Sequence, residues 1–323
     1  MNPILAQSCK VRGDFSFQIL QDGVVVEERP FEKNEILDAF LNYVCNCSRN
    51  NLASFFQYHA LGSGTTPVSV TDTGLVTEVR RTGTKLTGAG NTGGTWVSNT
   101  YTIRTTFDHG IETSPQNYAE HGLSYSASAG ANLMTRALIS GGTLSVGVGQ
   151  QVRCVYDISV TVSPGVATAA SVGGTGWPVS PATTTDGDVI LGGRDRLLGT
   201  YSTSGGQGGY AFLIGSQYYY NSHSVAPASA LTLPSFGGSI SATLISNSDI
   251  VYTKDAYVSG SFSATFRPLA AASASAWSSI AGIVGWVFKV NGAHEAAFKY
   301  DEPQTKANTH TLLYPSFTIT WSR

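Results

Sequence analysis

Stretches of this chain place apolar residues at every second position, and turn residues cut these runs short. Phe15, Phe17 and Ile19 alternate with Ser16, Gln18 and Leu20, the period of a half-buried strand. Gln21-Asp22-Gly23 follows; Asp-Gly supplies the positive φ angles of a type I′ hairpin turn. Val24, Val25 and Val26 return as the second strand, and Pro30 ends it. Tyr101, Ile103, Thr105 and Phe107 alternate again within Thr100 to Phe107. Strands are expected at His121 to Ser126 and Leu133 to Ile139. Leu144 to Val148 and Arg153 to Val162 read as a hairpin about Gly149-Gln150. Only Ile36, Leu37, Phe40, Leu41 and Val44 fall at helical spacing. Asn34 as N-cap and Glu35 at the positive end of the dipole place that helix from Asn34.

The expected fold is therefore all-β with one short helix after a hairpin. At 323 residues the chain has room for two ordinary domains. Charged residues make up only 12% and Gly reaches 36, the balance of a β architecture with many turns. We expect two tandem antiparallel β-sandwich domains, jelly-roll-like, over residues 1–163 and 164–323. Met1 to Ser8 reads as an arm, and Pro164 to Asp186 as a linker or long surface loop. In the second half strands are expected at Tyr210 to Ile214, Ser239 to Ile245, Ile250 to Tyr257, Gly260 to Phe266, Ile283 to Val290, Ala296 to Tyr300 and Leu312 to Trp321. Phe107, Gly122 and Ile158 recur at nearly equal intervals as Phe266, Gly282 and Ile319, the spacing of an internal repeat.

The first half turns on His59 to Leu75, HALGSGTTPVSVTDTGL. An apolar run, Phe55 to Leu61, delivers the chain to Gly62-Ser63-Gly64. Glycine admits positive φ, and Pro67 biases Thr66 towards an extended form. Asp72 and the threonines suit Asx- and ST-type turns. A strand should end here, a rigid polar loop should follow, and a new segment should start near Leu75.

This wording resembles a pattern in tailed-bacteriophage virion proteins, in which a strand ending in Leu/Val-Gly-Ser/Thr-Gly leads to Thr-Pro and then Thr-Asp-Thr-Gly/Ala-Leu. The accompanying elements would be the hairpin over Asp14 to Arg29, the helix over Asn34 to Leu41 and a β domain over Thr100 to Val162. The resemblance spans about residues 10–163. It implies a structural part of a phage particle, of the tail, neck or baseplate region, made in the host cytoplasm and carried in the virion. It implies no catalytic site. Its partners would be copies of itself and other virion proteins of tail, neck or capsid.

The remaining residues carry little sign of chemistry. A net charge of −2 offers no basic footprint for nucleic acid, and no run approaches the roughly 20 apolar residues that span a bilayer. So few charges fit a surface covered by other subunits. Cys9, Cys45, Cys47 and Cys154 match no zinc spacing and read as thiols of a reducing cytoplasm. His109 and His121, if they meet in space, read as surface or structural residues, and no cofactor is expected. Ser124 lacks the second glycine of a nucleophile elbow. Gly205 to Gly209 lacks the lysine of a P-loop. Asp186 with Asp188, and Asp301 with Glu302, read as turn carboxylates. Arg12-Gly13-Asp14 reads as the start of a strand. The site candidates are Trp177, Tyr218, Tyr219, Tyr220 and His223, as a subunit interface, a glycan platform or ordinary strand residues. The rival reading is thus a receptor-binding or head-decoration protein whose C-terminal domain recognises host surface glycan.

Overall fold

The turn at Asp22-Gly23 forms as its residues require: φ is +51° and +78° at the two positions, the paired positive angles of a type I′ hairpin. It joins β1 (Ile4–Gln21) to β2 (Val24–Glu28). The computed structural model describes residues 4–46, 52–86, 92–97, 100–162, 166–167, 190–191, 223–232, 241–244, 250–268, 280–290, 293–306 and 316–323. Among the described residues it is mostly strand, with one short α-helix, and the β1–β2, β7–β12 and β4–β9 pairings are antiparallel.

The chain divides into two compact units. One comprises residues 10–44, 51–161 and 322–323; the other comprises residues 1–9, 45–50 and 162–321.

In the first of these, β3 (Glu32–Ile36) lies beside β1, and the helix α1 (Asp38–Asn46) follows. The helix thus starts four residues later than its N-cap signal suggested. Asn34 is drawn into β3, which pairs with both β1 and β10 (Thr135–Leu138). Ladder hydrogen bonds on two sides outweigh the local preference of Asn-Glu for a helix start. Leu37 then precedes the helix, and its carbonyl accepts from Phe40 and Leu41 N–H. The apolar stripe itself is placed as expected: Leu37, Phe40, Leu41 and Val44 are buried, and Leu37 packs with Ala60 and Leu133.

The other strands of this unit are β4 (Tyr58–Gly62), β5 (Glu78–Thr82), β6 (Thr92–Val97), β7 (Thr100–Asp108), β8 (Gln116–Tyr118), β9 (Glu120–Ser124), β11 (Leu144–Val146) and β12 (Gln150–Val162). One run of pairings goes from β6 through β7, β12, β1, β3, β10, β9 and β4 to β5. The sheet curls until its β7–β12 part faces its β4–β9 part, as ring contacts between His59 on β4 and Phe107 on β7 show. The inner face is a core of Phe15, Phe17, Phe107, Tyr156, Ile158 and Val160. One expected hairpin does not form. β11 pairs with β8, and β12 pairs with β7. Gly149 at φ +82° reverses the chain, and its N–H donates to Glu112 O, which ties this turn to the β8 side.

In the second unit the short strands β13 (Val166–Ala167) and β14 (Ile190–Leu191) precede β15 (His223–Thr232), β16 (Ser241–Leu244), β17 (Ile250–Lys254), β18 (Ser263–Pro268), β19 (Ile280–Val290), β20 (Ala293–Lys306) and β21 (Ser316–Ser322). Six of the seven strands expected here overlap β16 to β21; Tyr210 to Ile214 lies outside the described residues. β15 pairs with β16, β17 and β19, β19 with β20, and β18 with β21.

The spaced trios share one feature and differ in another. Phe107 and Ile158 lie on the paired strands β7 and β12, as Phe266 and Ile319 lie on β18 and β21. Gly282 takes φ +78° where the β19–β20 register shifts, a bulge position that favours glycine. Gly122 has no such angle and is required for space instead.

Candidate functional site

The loop between β4 and β5 is held from below by one buried ion pair. Glu120 on β9 and Arg136 on β10 are 0% and 1% exposed. Glu120 Oε1 accepts from Gly64 N–H at 3.1 Å and Thr77 N–H at 2.8 Å, and Oε2 accepts from Val76 N–H at 3.1 Å. Arg136 Nε donates to Glu120 Oε2 at 3.0 Å. Its Nη1 reaches Asp72 Oδ2 at 2.6 Å and its Nη2 reaches Thr66 O at 2.9 Å. Asp72 Oδ2 also accepts from Ser69 N–H at 2.8 Å, closing the Asx-type turn that its side chain favours. Val70 O and Thr73 O accept from Asp38 and Leu133 N–H, which stitches the loop to α1 and to the approach to β10.

Gly62 and Gly64 serve this anchor through their size, and neither has positive φ. A Cβ at Gly64 would lie 2.4 Å from Glu120 Oε1; one at Gly62 would lie 2.6 Å from Thr77 O and 2.7 Å from that carboxylate oxygen. The Gly-Ser-Gly spelling leaves room for the buried carboxylate to reach the backbone. The following strand begins at Glu78, three residues beyond Leu75. Thr65, Thr66, Pro67, Ser69, Thr71 and Thr73 form the exposed crest of the loop.

A second knot uses the charged stretch Glu78 to Arg81. Arg81 forms a two-pronged pair with Glu78, both contacts 2.8 Å. Its Nη1 also donates to Ser124 Oγ, Ser126 O, Ser128 O and Asn132 Oδ1 at 2.7–2.9 Å. Ser124 Oγ, the nucleophile candidate, is thereby spent on structure, with Asn132 Oδ1 at 2.7 Å as a further partner.

Behind the loop lies a buried chain of imidazoles. His59 Nδ1 is 2.8 Å from His109 Nε2, and His59 Nε2 is 3.2 Å from His121 Nδ1. The strand register produces the second contact. His59 pairs with Leu123 and Leu61 with His121, so the two histidines are diagonal neighbours on one face. His109 directly follows β7 and is fixed by its N–H to Val152 O. Cys154 faces Phe107 across the β7–β12 ladder. A ring nitrogen of His59, one of His121 and Cys154 Sγ lie within 4.8 Å of one another, all buried. Phe15 and Phe17 pack against His121 with centroids 4.0 and 5.0 Å away.

Burial sets the charge of this cluster. It holds the His59 imidazole down at about 3, with the Arg81 charge adding to the effect. Burial likewise keeps His121 and His109 well below the usual imidazole range; His59 adds to both, and Arg80 and His121 add to the latter. Burial pushes the Cys154 thiol well up. All four groups are neutral near pH 7. Three neutral rings have three N–H groups for two contacts, so the chain of donors runs one way or the other. Either direction leaves its ends, His109 Nδ1 and His121 Nε2, without a hydrogen-bond partner.

His109 and His121 do meet, through His59, which the sequence did not group with them. The residue pattern gives no trace of the cluster: β4 and β9 are buried almost throughout, so neither alternates in a way that marks His59 or His121. Trp177 and Tyr218 to Tyr220 lie outside the described residues, as do Cys47, Asp186, Asp188 and Gly205 to Gly209. His223 opens β15 opposite Val290. Cys9 and Cys45 are buried thiols, burial pushing Cys9 up to about 12. Arg12 pairs with Asp14 at 2.5 Å inside β1. Among the described residues no helix is long and apolar enough to cross a membrane. No protein-family model, curated protein or solved structure matches this chain.

Proposed function

We propose that this chain is a non-enzymatic structural component of a bacteriophage particle, assembling as a homo-oligomeric ring or sleeve in the tail, neck or baseplate region. Two tandem jelly-roll-like sandwiches are the architecture this reading favours. The phage-like wording of residues 59–75 supports it, and so does a loop whose polar groups serve to hold backbone in place.

The observation that carries the proposal is β2. All five of its residues are exposed, and three are valines: Val24 at 65%, Val25 at 42% and Val26 at 56%. A strand that leaves three consecutive valines in water, on both of its faces, is a pairing hazard unless something covers it. A second copy of the chain supplies a matching strand and removes the valines from solvent. The low charge of the chain fits a surface largely spent on such contacts.

Native mass measurement on the full chain tests this. The parent protein is expected to form a closed oligomer of defined copy number. Val24→Lys/Val26→Lys is expected to shift it to monomer while far-UV circular dichroism stays unchanged. A parent chain that remains monomeric at high concentration and does not label in intact particles would overturn the proposal.

A further inference from the structure

We propose that His59, His121 and Cys154 bind one soft, closed-shell metal ion, Cu+ or Zn2+, inside the curled sheet. Two neutral imidazoles and a thiol form a nitrogen–sulfur donor set, which selects thiophilic metals over Mg2+ or Ca2+. The spacing suits one ion. Two nitrogens bonded to the same zinc at about 2.0 Å sit about 3.3 Å apart at a tetrahedral angle; His59 Nε2 and His121 Nδ1 are 3.2 Å apart. A metal–sulfur bond of about 2.3 Å asks for sulfur–nitrogen spacings near about 3.6 Å, inside the 4.8 Å that encloses the set.

Binding has a definite proton balance. Cys154 gives up its thiol proton, the sulfur lone pair bonds to the metal, and one proton leaves per ion. The rings stay neutral and only change tautomer. With Nε2 on the metal, His59 must carry its proton on Nδ1 and donate to His109 Nε2, 2.8 Å away. His109 is therefore a positioning residue, holding the ring of a ligand by its other nitrogen, as metal-bound histidines commonly require. The ion takes the place of the His59–His121 hydrogen bond: His121 then carries its proton on Nε2, and of the imidazole chain only the donation from His59 to His109 remains. Charge distinguishes the two metals. With one thiolate the Cu+ site is neutral, whereas the Zn2+ site retains one positive charge among Phe15, Phe17 and Phe107, where an unpaired charge is costly.

The test uses the reduced full-length chain, loaded under anaerobic conditions with Cu+ in one arm and Zn2+ in the other, then desalted and analysed for metal. About one ion per chain is expected, with Cu+ retained against a competing chelator better than Zn2+. Cys154→Ser is expected to lose at least about ten-fold in metal retention, and Cys45→Ser is expected to match the parent. His109→Gln should retain the ion but change the His59 ring nitrogen shifts in NMR. If Cys154→Ser fails to fold, X-ray absorption on the loaded parent decides: one sulfur and two nitrogens in the first coordination sphere support the site. Loading below about one ion in ten chains in both arms, a sulfur-free coordination sphere, or undiminished loading in a folded Cys154→Ser chain overturns it. Tighter retention of Zn2+ at the same ligands supports the site and overturns only the charge argument for Cu+.

Discussion

Glu120→Ala is expected to destabilise the protein by about 3–5 kcal/mol, the cost of breaking a buried ion pair from one side. Three backbone donors, Gly64, Val76 and Thr77, lose their acceptor, and Arg136 loses its most buried partner. Arg136→Met is expected to cost a similar amount, because it leaves Glu120 charged with no cation in contact. The double variant Glu120→Leu/Arg136→Met should cost less than the sum of the two, by at least about 2 kcal/mol, since it removes both charges together. Urea unfolding followed by tryptophan fluorescence, with midpoints compared at constant slope, gives all three values. Against a total stability of about 5–15 kcal/mol, either single change removes a large share of what holds the chain folded. Additive costs, or single costs under about 1 kcal/mol, would show that the pair does not organise the loop.

The second large effect is expected at Gly122. This residue sits in β9, between β4 and β10. A Cβ there would lie 2.2 Å from Thr135 O and 3.3 Å from Leu133 Cδ1. The nearer atom is backbone, so β10 must move away. β10 is not free to do so: Thr135 pairs with Ile36 on β3, and its Oγ1 accepts from Leu123 N–H at 2.9 Å and Tyr156 OH at 3.2 Å. Gly122→Ala is therefore expected to cost about 3 kcal/mol, the upper end of overpacking penalties. Gly110→Ala is the control. Its Cβ would meet only the flexible end of Arg80, at 3.3 Å, so it should fall within about 0.5 kcal/mol of the parent. Equal denaturation midpoints for the two variants would show that strand spacing does not dictate glycine at position 122.

The parts of the fold that local chemistry decides were legible in the residues. Asp22-Gly23 spelled its turn, the stripe from Leu37 to Val44 found the core, and period-2 runs marked β1 and β7. What escaped depends on partners far along the chain. Asn34 looked like a helix cap until β1 and β10 claimed its segment for a strand. Gly62 and Gly64 looked like conformational glycines. Their reason is a carboxylate that lies 56 residues beyond Gly64 in sequence. Glu120 and Arg136 carry no mark of burial in their own neighbourhoods, since a charge at an inward strand position makes sense only once its counter-charge is known. The imidazole chain is the same case. It needs the β4–β9 register and the placement of β7, and spacing along the sequence encodes neither.

Because Glu120 and Arg136 fasten the Thr65–Pro67 crest from beneath, that surface has already given up most of its freedom before any neighbour arrives. A protein that docks there meets a contour with little conformational entropy left to lose, so a larger share of each contact is kept as affinity. The same anchoring makes the crest intolerant of remodelling: a neighbour must fit the shape it finds.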